Sequence, residues 1–184
     1  MTRIYTRGGD DGSTGLLYGG RVDKSDLRTE SYGAVDEAVA ALGMARAVIA
    51  DSALADLVLR LQRELFVVGS ELATAPHNVH RLQPRLTKVT ADMVDGLEVL
   101  IDEYTAKIRM PEEFIVPGED QGSAFLDFAR AVVRRAERRT VALERTGGLS
   151  DREAVRYLNR FADLVFVLAR YEEGDFRTLR PAER

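Results

Sequence analysis

The segment Arg130-Ala-Val-Val-Arg134-Arg135-Ala-Glu137-Arg138-Arg139 places five arginines within ten residues. Phe125, Ala129, Val132, Val133, Ala136, Thr140 and Leu143 recur at helical spacing, so the segment reads as a helix with one face in the core. At 100° per residue Arg130, Arg134 and Glu137 share a second stripe, beyond the core edge. Arg130 and Arg134 are like charges one turn apart, an arrangement that destabilises a bare helix by about 0.2–0.5 kcal/mol. A polyphosphate would relieve that repulsion, because the guanidinium fork matches phosphate oxygens. A solvated basic face threaded by Glu137 is the plainer alternative.

A second cluster lies near the N-terminus: Thr6-Arg7-Gly8-Gly9-Asp10-Asp11-Gly12-Ser13-Thr14-Gly15. Glycines let backbone N–H groups approach a phosphate closely, and hydroxyls add donors. Asp10 and Asp11 suit Mg²⁺, which takes oxygen ligands. No Lys-Ser/Thr pair follows the glycines, so this is not a Walker A loop. The nearest lysine is Lys24, one of three lysines beside 23 arginines. Taken alone, the cluster also fits a flexible glycine-rich tail.

A third segment runs from Tyr157 to Arg170. Tyr157, Phe161, Leu164, Val165 and Leu168 form a broad apolar face, with Asn159 and Asp163 one turn apart on the opposite side. An asparagine beside a carboxylate can read a nucleotide or hold a metal-bound water; ordinary helix-surface polarity is the alternative. His77 and His80 sit in a Pro-bracketed linker with no third ligand in evidence, which reads as a solvated loop rather than a metal site.

These groups need elements to position them, and the periodicity predicts helices near 26–49, 52–75, 87–106, 121–145 and 151–171. Leu54, Leu57, Val58, Leu61, Leu65, Val68 and Leu72 give the second a clean stripe; Val89, Met93, Leu97, Leu100, Ile101 and Tyr104 do so for the third. Ser52 and Asp151 are candidate N-caps, and Gly147-Gly148 ends the fourth helix. No alternating strand pattern is visible. The expected fold is all-α: a five-helix bundle, residues 26–171, preceded by an irregular glycine-rich segment, residues 1–25, and followed by a tail, residues 172–184.

A chain of 184 residues is long enough to bury about 70% of its unfolded surface and reads as one domain. Net charge of −4 argues against general nucleic-acid affinity. The lack of cysteine excludes disulfides, thiolate metal sites and cysteine nucleophiles. No secretory segment starts the chain and no apolar run reaches membrane-spanning length, so the expected setting is soluble and cytoplasmic, without a membrane partner.

Together these segments resemble the PduO-type ATP:cob(I)alamin adenosyltransferases. The matching pieces are Ile4-Tyr-Thr-Arg-Gly-Gly-Asp-Asp-Gly-Ser-Thr, Arg21-Val-Asp-Lys-Ser-Asp-Leu-Arg28, Tyr32-Gly-Ala-Val-Asp-Glu37, Phe114-Ile-Val-Pro-Gly118, Arg130 to Arg138, and Tyr157-Leu-Asn-Arg160. They fall in the family's order over almost the whole chain. The resemblance implies a homotrimer with each active site between neighbouring subunits. It implies transfer of the 5′-deoxyadenosyl group of ATP to cob(I)alamin, with release of triphosphate. By resemblance, Thr6, Arg7, Gly8, Gly9, Asp10, Gly12, Ser13 and Thr14 wrap the polyphosphate, ordering across a neighbouring subunit when ATP and Mg²⁺ arrive. Mg²⁺ is then held mainly by ATP itself. Lys24 and Arg28 add positive charge, Arg134 makes the main phosphate contact, and Glu137, Arg138 and Asn159 hold the nucleotide. Phe114 would wedge beneath the corrin and exclude the axial ligand, which makes cob(II)alamin reducible. Asp36 and Arg130 would form a semi-buried ion pair shaping the corrin site. A reductase and an adenosylcobalamin-dependent acceptor enzyme are the implied partners.

Three positions depart from the family pattern: Gly9, where threonine is usual; Glu119, where a second glycine is usual; and Asp127, where histidine is common. The last two are expected to add negative charge near the corrin loop or the arginine helix. They keep open a non-catalytic carrier or regulator of ATP or adenosylcobalamin. An oligomeric scaffold whose arginines pair with acidic residues between subunits is a further alternative, and it leaves the glycine-rich segment unexplained.

Overall fold

The computed structural model describes Tyr5 and residues 7–179. Five α-helices carry the fold: α1 Leu27–Val48, α2 Ser52–Leu72, α3 Ala91–Thr105, α4 Gln121–Arg145 and α5 Glu153–Glu173. A 3₁₀ helix, Pro76–Arg81, lies between α2 and α3. α1 packs on both α2 and α4, and α5 on both α4 and α3, so the helices succeed one another in space as α2-α1-α4-α5-α3. Leucines 42, 54, 61, 65, 72, 97, 126, 158 and 164 are fully buried in one continuous core. Each such side chain contributes about 1.5–3 kcal/mol relative to exposure. Among the described residues no helix is long and apolar enough to cross a membrane.

Local chemistry explains where the helices begin. Asp26 caps α1 by accepting the Arg28 N–H at 2.8 Å. The cap of α2 is Asp51, not Ser52: its carboxylate accepts from Ala53 and Leu54. Asp120 caps α4 in the same way. Asp151 accepts the Glu153 N–H at 3.0 Å, but Arg152 takes the cap position and α5 begins one residue later. The third helix starts at Ala91 rather than Thr87: the Thr87 and Lys88 N–H groups close a turn onto the Gln83 carbonyl, the Val89 N–H donates to the buried Glu71 carboxylate at 2.7 Å, and Thr90 is still extended. At the end of α4 the Gly147 and Gly148 N–H groups return to the Glu144 and Leu143 carbonyls.

The flanking segments hold strands that the periodicity did not reveal. β1, Ser13–Gly15, pairs antiparallel with β2, Arg21–Asp23. β3, Ile115–Val116, pairs antiparallel with β4, Arg177–Thr178. Two or three residues are too short for an alternating pattern to register. The N-terminal segment is therefore a hairpin from Ser13 onward, not irregular chain. It is seated on the same chain: Leu17 N–H donates to Ala73 O at 2.9 Å, and Asn78 and Arg81 donate to Tyr18 O.

Candidate active site

α4 turns its arginines in two directions. Arg135 pairs with Glu37, and Arg139 with Glu30 at 3.5 Å, both on α1. Arg134 and Arg138 are exposed, and among the described residues neither forms an ion pair. With Glu137, Val141 and Arg145 they line a cavity of about 410 Å³. Asn159 on α5 donates through Nδ2 to Glu137 Oε1 at 3.0 Å. The expected nucleotide residues Arg134, Glu137, Arg138 and Asn159 thus meet at one place. Arg145 was missed; lying seven residues beyond Arg138, it shares that face of the helix. Three guanidinium groups with one carboxylate leave a net positive cavity suited to an anion with several oxygens.

A second cavity, of about 530 Å³, opens between α3, α4 and α5. Arg130, Arg160, Glu98, Asp163 and Phe166 line it, with Met110 from the loop after α3. The Arg130 guanidinium lies 5.1 Å from the Phe166 ring centroid, a cation–π contact. Asp36 is elsewhere. It is exposed on α1, at a largely apolar groove with Tyr32, Leu65 and Phe66. The expectation of a semi-buried Asp36–Arg130 pair is not met within one chain, because the two residues line different cavities.

The glycine-rich loop is organised by basic side chains of the hairpin's second half. Arg21 Nε donates to Ser13 Oγ at 3.0 Å, and its Nη2 also reaches the Gly8 carbonyl. Lys24 Nζ donates to Gly9 O at 2.7 Å. Ser13 donates both its N–H and its hydroxyl to Asp11, holding that carboxyl below its usual range. Arg7, Gly8, Asp10, Gly12 and Thr14 belong to this loop and first strand, whereas Thr6 lies outside the described residues. Arg21 was overlooked because its role depends on strand register, with Gly15 opposite it. A Cβ at Gly9 would come within 3.1 Å of Ser13 O and 3.3 Å of Lys24 Nζ, so the missing side chain makes room for the lysine. Arg28 has a different place from the one expected. It is buried, and its guanidinium donates to the carbonyls of Leu72, Thr74 and Gly148 at 2.6–2.7 Å. Committed to the ends of α2 and α4, it adds no charge at the loop.

Phe114 is 84% exposed, just before β3. Its carbonyl accepts the Leu179 N–H at 2.6 Å, so β4 fixes the loop that presents it. The unusual acidic residues of this region are both paired within the chain. Glu119 pairs with Arg177 at 3.1 Å, and Asp127 turns inward to Arg170 at 2.5 Å, where Glu173 also pairs. The Asp127 carboxylate is therefore buried against Arg170 on α5.

The family model described as cobalamin adenosyltransferase matches residues 4–172. A corrinoid adenosyltransferase of Citrobacter freundii is 43% identical over 173 residues, covering 94% of this chain and 96% of that protein. One from Bacillus subtilis is 40% identical over 172 residues, covering 91% and 85%. Among solved structures, a phenylalanine-to-alanine variant of the PduO-type ATP:corrinoid adenosyltransferase from Lactobacillus reuteri, complexed with cobalamin and ATP, superposes with a TM-score of 0.86 at 31% identity, covering 97% of this chain and all of that one. By sequence and by fold, the chain belongs to the cobalamin adenosyltransferase family and is a transferase.

Proposed function

We propose that this enzyme transfers the 5′-deoxyadenosyl group of ATP to cob(I)alamin. The observation that carries the assignment to these residues is the cavity of Arg134, Arg138 and Arg145, whose positive charge matches triphosphate. In the step, the cobalt electron pair attacks the ribose 5′ carbon, a Co–C bond forms, and the C–O bond to the phosphate breaks. The leaving triphosphate takes the electrons of that bond. No protein nucleophile or general base is required, so the chain's tasks are positioning and stabilisation of the departing charge.

In this reading Arg134 meets the polyphosphate where its charge grows. Glu137, held by Asn159, orients the nucleotide, and Arg138 adds charge. The loop from Thr6 to Thr14, with Lys24 and the additional Arg21, wraps the phosphates. Mg²⁺ would neutralise phosphate charge while resting mainly on ATP. Asp10 is a candidate contact, since Asp11 is turned onto Ser13 and, among the described residues, no group of three acidic or imidazole ligands is assembled.

The corrin would occupy the Arg130 cavity, with Phe114 beneath it. An exposed aromatic side chain on a strand-anchored loop can exclude water and the lower base from cobalt, which favours four-coordinate cob(II)alamin and makes it reducible. The active sites would lie between subunits of a trimer: Asp36 and Arg130 line separate cavities of one chain, so their pairing requires a neighbour. A reductase would supply the electron and an adenosylcobalamin-dependent enzyme would receive the product, in the cytoplasm.

The test is anaerobic incubation with ATP, Mg²⁺ and chemically reduced cob(I)alamin, followed by visible absorbance. Loss of the cob(I)alamin band with appearance of a light-sensitive alkylcobalamin is the expected result. Binding of ATP and corrinoid without product would favour the carrier reading, to which the departures at Gly9, Glu119 and Asp127 gave some weight.

A further inference from the structure

Asn159 and Arg160 are neighbours on α5, so their side chains leave the helix about 100° apart. Asn159 turns toward Glu137 of the arginine cavity; Arg160 lines the Arg130 cavity. The two are nevertheless joined, Arg160 Nη1 donating to Asn159 Oδ1 at 2.7 Å. Arg160 Nε donates in turn to Glu98 Oε1 on α3 at 2.8 Å. With the 3.0 Å bond from Asn159 Nδ2 to Glu137, four side chains form one unbroken chain from α3 through α5 to α4.

The polarity of this chain has a consequence. The two ends of a carboxamide have nearly the same shape, and neighbours decide which way it faces. A guanidinium only donates, so it must meet Oδ1, and Nδ2 is left to point at Glu137. The guanidinium is itself fixed by Glu98, because its planar fork cannot turn without breaking one of the two bonds.

We propose that Glu98 and Arg160 are positioning residues for the nucleotide: they set the Asn159 amide, and through it the Glu137 carboxylate beside Arg134. The proposal rests on the reading of the arginine cavity as the ATP site. Glu98 lies in the neighbouring cavity, yet it controls how ATP is held. The Glu98–Arg160 pair is half exposed. Such pairs contribute little to folding, so its loss is expected to act on the site and not on the fold.

The test is steady-state adenosylation by the full chain with wild type, Glu98→Ala, Glu98→Gln, Arg160→Ala and the double alanine variant. Glu98→Ala is expected to raise KM for ATP about fivefold, a larger change than in KM for cobalamin. Glu98→Gln keeps an acceptor oxygen and is expected to stay within about twofold of wild type. Because the chain is serial, the double variant should match Arg160→Ala alone. An unchanged KM for ATP, equal effects of the alanine and glutamine variants, or additive effects in the double variant would overturn the proposal. If the wild type binds ATP but transfers nothing, the assignment of function fails by itself; calorimetric affinities for MgATP in the same variants then decide, equal values overturning the chain. Absence of ATP binding in the wild type would overturn both.

Discussion

Arg170 and Arg134 differ in nearly everything but side-chain type. Arg170 is fully buried on α5, faces Asp127 and Glu173, and lies 4.9 Å from the Phe166 ring. Arg134 is exposed on α4, in a cavity it shares with Arg138 and Arg145. Arg28, held by three carbonyls, belongs with the first kind. An arginine whose donors are satisfied inside the chain ties elements together. A cluster of exposed arginines without carboxylate pairs concentrates positive charge for a ligand.

The first way to break the comparison is Arg170→Ala. It would strand Asp127 and Glu173 as buried, unpaired carboxylates, and should lower stability by about 3–5 kcal/mol in denaturant unfolding. A loss within the error of such a measurement would show that this arginine is not structural.

Glu71 sharpens the comparison from the acidic side. Burial raises its pKa to about 7, against the lowering effect of the Val89 N–H; Lys88, Asp151 and Glu153 also act on it. Its folded pKa lies above the ordinary value, so the native state holds a proton that the unfolded chain releases. The stability it contributes is full below about pH 4.5 and is lost as pH rises through about 7, an effect on the order of 3 kcal/mol. Glu71→Gln should flatten the dependence of Tm on pH across that window. An unaltered slope would place the titration elsewhere.

The smallest effect is expected at Arg135, whose pair with Glu37 is half exposed. Arg135→Ala should change stability by no more than about 1 kcal/mol. A loss comparable to that of Arg170→Ala would erase the distinction between surface and buried pairs.

Much of this was legible in the residues. The period of α4 located its core face, and the fourth helix ends where Gly147-Gly148 indicated. The same period set Arg130, Arg134 and Glu137 on one outer stripe; Arg134 and Glu137 do meet in one cavity, Arg130 lines another, and Arg138 was indicated only by the family resemblance. Other features depended on contacts between residues distant in sequence. Arg28 looked like any basic residue beside a phosphate loop; only the arrival of the ends of α2 and α4 supplies its carbonyl partners. Asp127 seemed to add charge to the arginine face until Arg170, 43 residues on, was found beside it. The start of α3 shifted because residues 87 and 88 close a turn onto the Gln83 carbonyl and Val89 is tied to Glu71, 18 residues back. The hairpin carrying Arg21 was hidden because strands of three residues give no periodic signal.

The most direct test of the central claim is the melting temperature of wild type and Arg134→Ala, each with and without saturating MgATP. The two should melt within about 2 °C of each other without ligand, since an exposed substitution outside any ion pair changes stability little. ATP should raise the melting point of the wild type and leave the variant almost unmoved. An Arg134→Ala protein that is already destabilised without ATP, or that gains as much from ATP as the wild type, would contradict the account.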